Sequence, residues 1–485
     1  MLRNYVTDQG IYSVDVSALV CCILIAYGLW SQHKPLMLTY NLFGNVAKVV
    51  RVRMMAWQYL FRGPSIIQHY FDKSNEEPFE IHAPDVRMVF VSSPKHIKEL
   101  DSAPDTVLSL NGAAKHMLQP VYTMNGFNWF DRRGVEGIGF VRTLRTLLTN
   151  NLPFLVPSLG TLMQVRWKEL MASSKVTNEI GSAQIYLYPA IMKLVVLLNA
   201  RSLFGEDLIK NHRFMSSALR YVEETLLSAE VVKLLPSFLA PIVGGSLSRC
   251  LSSHKTFFDS LIPATEQRLR ERNLKRQGHQ VPERTIVYVI HDLCLHPEYI
   301  EPIRRELEAS YEYFERTGQG LPLLDSFIKE STRLTPVESM SVRRRALQPF
   351  TLSDGTKVSV GEWACAPSAA INTHARYYPS PETFSGFRFV DPAILSDTHE
   401  YPTPPAMQTK PSKLTDVDHS FLMWGTGRMA CPGRYYASAF MKVVIAQLLM
   451  NYDFELVKPS HARWISWRVA KIPRPRTKVV FTARD

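Results

Sequence analysis

The chain has 485 residues, of which 46% are hydrophobic and 21% are charged. This composition, with no low-complexity tract and no repeat of fixed period, predicts a globular protein whose core is large enough to enclose a bulky cofactor. The net charge of +12 comes from scattered basic residues that are not interleaved with aromatic residues. That pattern argues against nucleic acid as a partner and suits an anionic membrane surface or an acidic redox partner.

The N-terminal segment comes first in chain order. Residues 11–30 are almost wholly apolar, although the uncharged part, 16–30, is slightly short for a span of about 20 residues. A buried core helix and a cleaved signal peptide are the alternatives, but no small-x-small cleavage site follows Trp30. Because Lys34 and Arg51 come next, the positive-inside rule predicts a signal anchor with the rest of the chain in the cytosol. The predicted division is a membrane anchor over 1–32, a juxtamembrane linker over 33–62 and one large domain over 63–485.

The following elements alternate between helix and strand patterns. Residues 64–71 favour a short helix, and residues 79–82 and 86–92 favour the two strands of a hairpin. From 140 to about 269 the apolar spacing is mostly helical, with breaks at Pro153, Pro157, Pro236 and Pro241.

The C-terminal half adds more helices than strands. A tight turn at 353–356 lies within a strand region, 342–360, and residues 478–482 predict a terminal strand. Helices are predicted over 288–295, 297–313, 323–334 and 435–450. The predicted fold class is mainly α with a minor β-sheet.

The cysteines limit the chemistry. None of the six forms a C-x-x-C pair, so neither a disulfide framework nor a zinc site fits the sequence. The body of the protein is therefore predicted to face a reducing compartment. The six are Cys21, Cys22, Cys250, Cys294, Cys365 and Cys431.

The most informative segment surrounds Cys431. Gly425 and Gly427 precede the cysteine and permit a tight loop whose backbone comes close to a flat ligand. Pro432 and Gly433 follow, and a long helix begins at once. A cysteine at a helix N-terminus beside an arginine is biased towards the thiolate, which can donate to iron. The loop alone is equally compatible with an ordinary buried cysteine.

Two further motifs lie upstream of this loop. Glu330 and Arg333 stand three residues apart on one helix face, a spacing that ordinary surface ion pairs share. Arg388 lies between two phenylalanines in an aromatic-rich loop. A network of Glu330, Arg333 and Arg388 is predicted to pin that loop beneath the cysteine loop.

The order of the three motifs resembles the cytochrome P-450 superfamily. The similarity extends from about Pro64 to the C-terminus and includes the segments 296–299 and 352–356. Segments 127–133 and 145–152 resemble fungal members that oxidise terpenoid-type secondary metabolites.

The resemblance implies a P-450-like fold and a set of roles. Cys431 would be the axial ligand to the iron of haem b, with Glu330, Arg333 and Arg388 as the structural network behind it. The family chemistry activates O₂ and puts one oxygen atom into a C–H bond, with electrons from NADPH through a membrane-bound cytochrome P-450 reductase. The implied protein is a monooxygenase of the endoplasmic reticulum membrane that faces the cytosol and oxidises a small, apolar, terpenoid substrate.

Two positions depart from the family pattern. The residue two before the cysteine is usually Arg or His, which contacts a haem propionate; here it is Met429, and Arg428 or Arg343 would supply the replacement charge. The central helix usually carries a small-Gly-x-acid-Thr stretch that delivers protons on the distal side. That stretch is absent before His291, and Thr285 is not assigned its role because it lies close to the predicted helix start.

The missing stretch predicts a truncated distal helix and leaves two explanations. Either a misassigned splice boundary has removed part of a competent oxygenase, or the chain is a degenerate, non-oxygenating haem-binding protein. As written, the chain is expected to couple oxygen reduction poorly to product formation.

Overall fold

The computed structural model describes residues 42–124, 126, 130, 141–176, 181–270, 283–396, 405–408, 410–459 and 462–484. The predicted membrane anchor, most of the 127–133 motif and the residues just before the distal helix lie outside these ranges. Within them, Leu187–Phe204 is the one helix long and apolar enough to cross a membrane, and more than half of it is buried in the protein.

Helices dominate the described chain, which confirms the predicted fold class. Two of them are kinked or short at prolines: α1 bends at Arg62, just before Pro64, and α4 is a single turn that begins at Pro120. The helices are α1 Leu42–Ser74, α2 Pro94–Ser102, α3 Leu110–Leu118, α4 Pro120–Thr123, α5 Leu152–Ser173, α6 Leu187–Phe204, α7 Glu206–Lys210, α8 His212–Leu234, α9 Ala240–Cys250, α10 Ser253–Arg270, α11 Glu283–Leu295, α12 Ile300–Thr317, α13 Pro322–Leu334, α14 Ser368–Asn372, α15 Pro392–Ser396 and α16 Arg434–Asn451, with short π or 3-10 turns at Thr143–Leu148, Pro297–Tyr299 and Gly427–Met429.

The strands form one five-stranded sheet and three smaller ones. The five-stranded sheet has the order β1-β2-β9-β6-β3, and a four-stranded sheet has the order β10-β13-β5-β4. Strands β7 and β8 pair as one hairpin and β11 and β12 as another. The strands are β1 Phe79–His82, β2 Arg87–Phe90, β3 Leu108–Ser109, β4 Lys175–Val176, β5 Ser182–Tyr186, β6 Ser341–Ala346, β7 Phe350–Thr351, β8 Lys357–Val358, β9 Trp363–Ala366, β10 Tyr452–Leu456, β11 Trp464–Trp467, β12 Ala470–Pro473 and β13 Lys478–Ala483.

Helix α16 lies at the centre of the helical core. It is apolar around its whole circumference because it packs on α5, α11, α12 and α13. Its first residue, Arg434, lies three positions after Cys431, so a helix with most of its residues buried fixes one end of the cysteine loop. A second apolar cluster joins α1 to the five-stranded sheet.

Several details differ from the sequence-based expectations. The segment expected as a linker, 33–62, is helical from Leu42 onward. Pro157 does not end a helix, because it lies in the first turns of α5, where few backbone hydrogen bonds are lost. Strands β4 and β5 were not expected; β5 pairs with the C-terminal strand β13, and β4 pairs with β5. The start of α11 borders residues outside the described ranges, so a truncated distal helix remains a prediction.

Candidate functional site

The cysteine loop is a tight turn held by its own backbone. The amide of Cys431 donates a hydrogen bond to the carbonyl of Trp424 at 2.7 Å. Gly425 and Gly427 both have left-handed backbones, with φ of 71° and 59°. A Cβ at Gly427 would come within 3.0 Å of the Asp101 carboxyl group, so this position requires glycine for its conformation and for its space.

The thiol of Cys431 is half-buried at the start of α16. Burial raises the pKa of this thiol, while the backbone N–H of Gly433 and the charge of Arg434 act in the opposite direction. The sequence predicted the two lowering groups, but burial outweighs them. A thiol in this setting becomes a stable thiolate when a metal cation binds it.

Besides Arg434, three further arginines lie around the loop. Arg428 donates to the carbonyl of Ala103 at 3.0 Å and pairs with Asp105 at 3.1 Å. Arg145 donates to the carbonyl of Arg428 at 3.3 Å. Arg344, on β6, is buried and pairs with Asp101, whose carboxyl group lies against Gly427.

Arg343 and Arg344 diverge because neighbours on a strand point to opposite faces. Arg343 pairs with Glu338 and lies 3.2 Å from the sulfur of Met117, on the side of the sheet covered by α3. The sequence analysis named Arg343 and did not consider Arg344, the arginine of this pair that lies beside the loop. The signal in the sequence is that apolar residues, Val342 and Ala346, stand two positions on either side of Arg344, and burial alternates along β6 in the same way.

The predicted network of Glu330, Arg333 and Arg388 is assembled in the structure. Arg333 binds both carboxylate oxygens of Glu330, at 2.7 and 2.8 Å, and Nε of Arg388 lies 3.1 Å from each of them. All three side chains are fully buried. The amide of Ser385 donates to Glu330 as well, at 2.9 Å.

The same arginines hold the loop of residues 379–385. Arg388 donates to the carbonyls of Pro379 and Thr383, and Arg333 donates to those of Asn372 and Pro381. Because one carboxylate faces two guanidinium groups, these carbonyl contacts supply the remaining acceptors that buried arginines need.

A buried lysine connects this network to the cysteine loop. Lys329 donates to Ser412 and to the carbonyl of Lys413, both at 2.9 Å, and lies over the rings of Phe389 and Phe421. Sequence reasoning missed Lys329, since a lysine on an amphipathic helix ordinarily faces solvent. The network therefore extends to the segment that leads into Cys431.

Helix α11 carries the residues that sequence analysis compared with the distal stretch. Asp292 is buried and engaged by Ser331 and by Arg463, whose Nη2 lies 2.5 Å from Oδ1. Thr285 is 1% exposed, and its hydroxyl has no hydrogen-bond partner within the described chain. The carboxylate of Asp292 is therefore not free to pass a proton. Within the described chain, the Thr285 hydroxyl has no partner to which it could pass one.

The donor set around Cys431 fits haem. Among the described residues no group of three or more His, Cys, Asp or Glu side chains could hold a metal ion. A metal at Cys431 must therefore bring most of its own ligands, as the iron of a porphyrin does. Arg145, Arg344 and Arg428 supply cations beside the loop for the carboxylates of such a group.

A comparison with protein families decides the identity of the fold. The family model for Cytochrome P450 matches residues 278–478, which include the Glu330 network and Cys431. Over this segment the chain matches the cytochrome P450 family, as the order of the three motifs predicted. Its enzyme class is that of the P450 monooxygenases, and the cofactor of the family is haem b.

Relatives of this P450 occur in fungi. The chain is 27% identical to the cytochrome P450 monooxygenase olcJ of Penicillium canescens, over 84% of this chain and 82% of the relative. It is 25% identical to the ent-kaurene oxidase of Gibberella intermedia, over 98% and 95% of the two chains. The structure matches retinoic acid-bound cyanobacterial CYP120A1 with a TM-score of 0.60 and 15% identity, over 88% and 97% of the two chains.

Proposed function

We propose that this P450 oxidises a small, apolar secondary-metabolite intermediate of terpenoid type, with electrons from NADPH through a membrane-bound reductase. The observation that carries the proposal is the half-buried thiol of Cys431, which lies in a glycine-shaped loop at the start of the largely buried helix α16. The similarity to an ent-kaurene oxidase over nearly the whole chain supports the terpenoid class.

Each part of the site has a distinct task in this proposal. Bound haem supplies the O₂ activation that puts oxygen into a C–H bond, a chemistry favoured by a thiolate ligand. Cys431 would hold the iron, and the N–H of Gly433 directed at the sulfur would limit how much charge it donates. Arg344 and Arg428 would hold the propionates, while Glu330 keeps the supporting loop in place.

The environment of the enzyme follows from its N-terminus and its charge. The apolar segment over 11–30, followed by basic residues, supports a single-pass anchor in the endoplasmic reticulum membrane with the P450 domain in the cytosol. The net charge of +12 suits docking to an acidic redox partner.

A second candidate function is haem binding without oxygenation. The described part of α11 favours it, because the carboxylate of Asp292 is committed to Ser331 and Arg463 rather than free to pass protons. Both candidates share the thiolate ligand and differ in what happens after oxygen binds.

Spectroscopy of the reduced, CO-bound protein tests the thiolate. The full chain is purified with haem, and the strongly red-shifted Soret band of the family is expected. Cys431→Ala should abolish that band, whereas Cys250→Ala, at an exposed cysteine, should leave it unchanged. A band that persists in Cys431→Ala would contradict the ligand assignment and with it the proposed function.

Turnover separates the two candidates. With NADPH, a P450 reductase and a panel of terpenoid hydrocarbons, alcohols and acids, an oxygenase yields an oxidised product. Consumption of NADPH with release of hydrogen peroxide alone would favour the non-oxygenating protein.

A further inference from the structure

A buried cationic cluster lies where α11 meets the β11–β12 hairpin. Lys471 on β12 is 8% exposed, and its Nζ lies 4.7 Å from the centre of the Trp464 ring. The ring of Tyr288, on α11, meets the same Trp464 ring edge to face at 6.4 Å. The guanidinium of Arg463 lies 5.9 Å from the centre of the Tyr288 ring.

Several polar atoms of this cluster are buried without a partner. Within the described chain, the Tyr288 hydroxyl, the Thr285 hydroxyl and the Nε atoms of Arg284 and Arg463 have no hydrogen-bond partner. Tyr288 is only 2% exposed. Native proteins leave few such atoms unpaired, because each costs about 1–3 kcal/mol. Four such atoms, three on α11 and one on the residue before β11, indicate that a hydrogen-bond acceptor is missing from the cluster.

The charges of the cluster are also unbalanced. Asp292 is its carboxylate, and Arg463 and Ser331 already bind it. No carboxylate among the described residues pairs with Lys471, whose pKa falls to about 8 through burial and the charge of Arg463. The carboxylate on the neighbouring segment, Glu338, is held by Arg343. Buried cations in excess call for an anion from outside the cluster.

We propose that this cluster binds the carboxylate of an apolar organic acid, with Lys471, Arg463 and Tyr288 as donors. Ammonium, guanidinium and phenol groups suit a carboxylate, and the rings of Trp464 and Tyr288 suit an apolar skeleton. The inference rests on the proposed function for the role of that acid, which is the substrate: a terpenoid acid rather than a hydrocarbon.

Hydrogen bonds connect the β11–β12 hairpin, through the residues around Ser339, to the segment that leads to the cysteine loop. The hairpin is fixed by the amide of Ser339, which donates to Val469 at 2.8 Å, and by the amide of Lys471, which donates to Val337 at 2.9 Å. Two residues after Ser339, the hydroxyl of Ser341 donates to Leu422, in the segment that leads to Cys431, at 2.7 Å. The segment that holds the hairpin is therefore also bonded to the segment that leads to Cys431.

Equilibrium dialysis of a matched pair of ligands tests the proposal. Radiolabelled abietic acid and abietol share one tricyclic diterpene skeleton and differ in carrying a carboxylate or an alcohol. The full-length, haem-loaded protein in lipid nanodiscs is expected to bind the acid at least about tenfold more tightly than the alcohol. Empty nanodiscs correct for partition into lipid.

Two variants locate the binding on the cluster. Lys471→Met and Tyr288→Phe should each weaken binding of the acid by about tenfold and leave binding of the alcohol unchanged. Tyr288→Phe should fold at least as stably as the natural chain, since it removes an unpartnered buried hydroxyl. Lys357→Met, at an exposed lysine of another hairpin, makes the same charge change and should bind like the natural chain.

Equal affinity for acid and alcohol would overturn the proposal, and so would unchanged acid binding in both variants. Dialysis requires neither oxygen nor electrons, so its outcome is independent of turnover. Acid binding by a chain that shows no thiolate band would reject the oxygenase and keep the anion site. A chain that shows the thiolate band but binds acid and alcohol equally would keep the oxygenase and reject the anion site.

Discussion

At the scale of single residues, adjacent arginines on β6 have different surroundings. Arg344 is buried against Asp101 beside the cysteine loop, whereas Arg343 meets Glu338 on the other face of the sheet. Met429 occupies the position where the family usually places a cation that contacts a haem propionate. We propose that Arg344 rather than Arg343 supplies a charge for that propionate, because Arg344 is the one of the two that lies beside the cysteine loop.

Two double variants, each of which neutralises one arginine together with its carboxylate partner, test this choice. Arg344→Gln combined with Asp101→Asn removes one ion pair, and Arg343→Gln combined with Glu338→Gln removes the other, so neither variant leaves a buried charge unpaired. The first should speed haem transfer to apomyoglobin by about tenfold, because a charged hydrogen bond contributes about 1.5–3 kcal/mol. The second should transfer haem at the natural rate. Equal acceleration in both would reject the special role of Arg344.

At the scale of elements, Glu330 joins α13 to the loop of residues 379–385. Glu330→Gln keeps the shape of the side chain but leaves Arg333 and Arg388 without a buried counter-charge. Breaking such a group by removing one partner costs about 3–5 kcal/mol. We expect a lower free energy of unfolding by about that amount in urea titrations. Glu312→Gln, which breaks an exposed pair with Arg316, should leave the unfolding midpoint unchanged.

The start of α13 depends on a second buried carboxyl group. Glu306 accepts the backbone N–H groups of Leu323 and Leu324, at 2.7 and 3.0 Å. Burial raises the pKa of Glu306 to about 7, so the folded protein favours the protonated form. The resulting stabilisation is complete below the usual glutamate pKa and is lost as the pH rises through about 7.

This titration predicts a pH dependence of stability. Between pH 5 and pH 7, Glu306 should lower the free energy of unfolding by at most about 1.4 kcal/mol per pH unit. Urea titrations at pH 5, 6, 7 and 8 measure the slope. In Glu306→Gln the Glu306 contribution disappears, and the curve should be flatter over this window. Parallel curves for the two proteins would show that Glu306 does not titrate there.

The elements also show where sequence reasoning succeeds. The E-x-x-R helix and the cysteine loop were predicted because local spacing determines them: a three-residue interval on a helix, and glycines where φ must be positive. Strand β5 was not predicted, because its pairing with β13 joins residues about 300 positions apart. Arg344 was missed because its face of the sheet is set by strand register, which composition does not reveal.

At the scale of the whole molecule, alignments with two relatives leave a similar number of the relatives' positions without a counterpart in this chain. The comparison with the ent-kaurene oxidase spans 529 positions, yet it covers 98% of this 485-residue chain. About fifty aligned positions therefore have no counterpart here, and the alignment with olcJ, with 461 positions over 84% of the chain, leaves a similar number. Loss of the distal stretch, which the sequence predicts, would account for part of this deficit.

Both explanations of the deficit make the same prediction for the protein as written. Without the acid and threonine of the distal stretch, proton delivery lacks its positioned donor. The haem-loaded chain with reductase should consume NADPH and release most of the reducing equivalents as hydrogen peroxide, measured as peroxide formed per NADPH oxidised. Efficient product formation by this chain would show that another group, such as the unpaired hydroxyl of Thr285, passes the proton.

The transcript separates the two explanations. Amplification across the region between Arg272 and His291 should yield a longer product if a splice boundary was misassigned, and the protein translated from it should release less peroxide per NADPH than the present chain. A transcript that matches the present sequence leaves a real loss as the explanation. The Glu330 network and the cysteine loop would then have retained a haem site after the distal chemistry had been lost, since the hydrogen bonds that hold them come from residues outside α11.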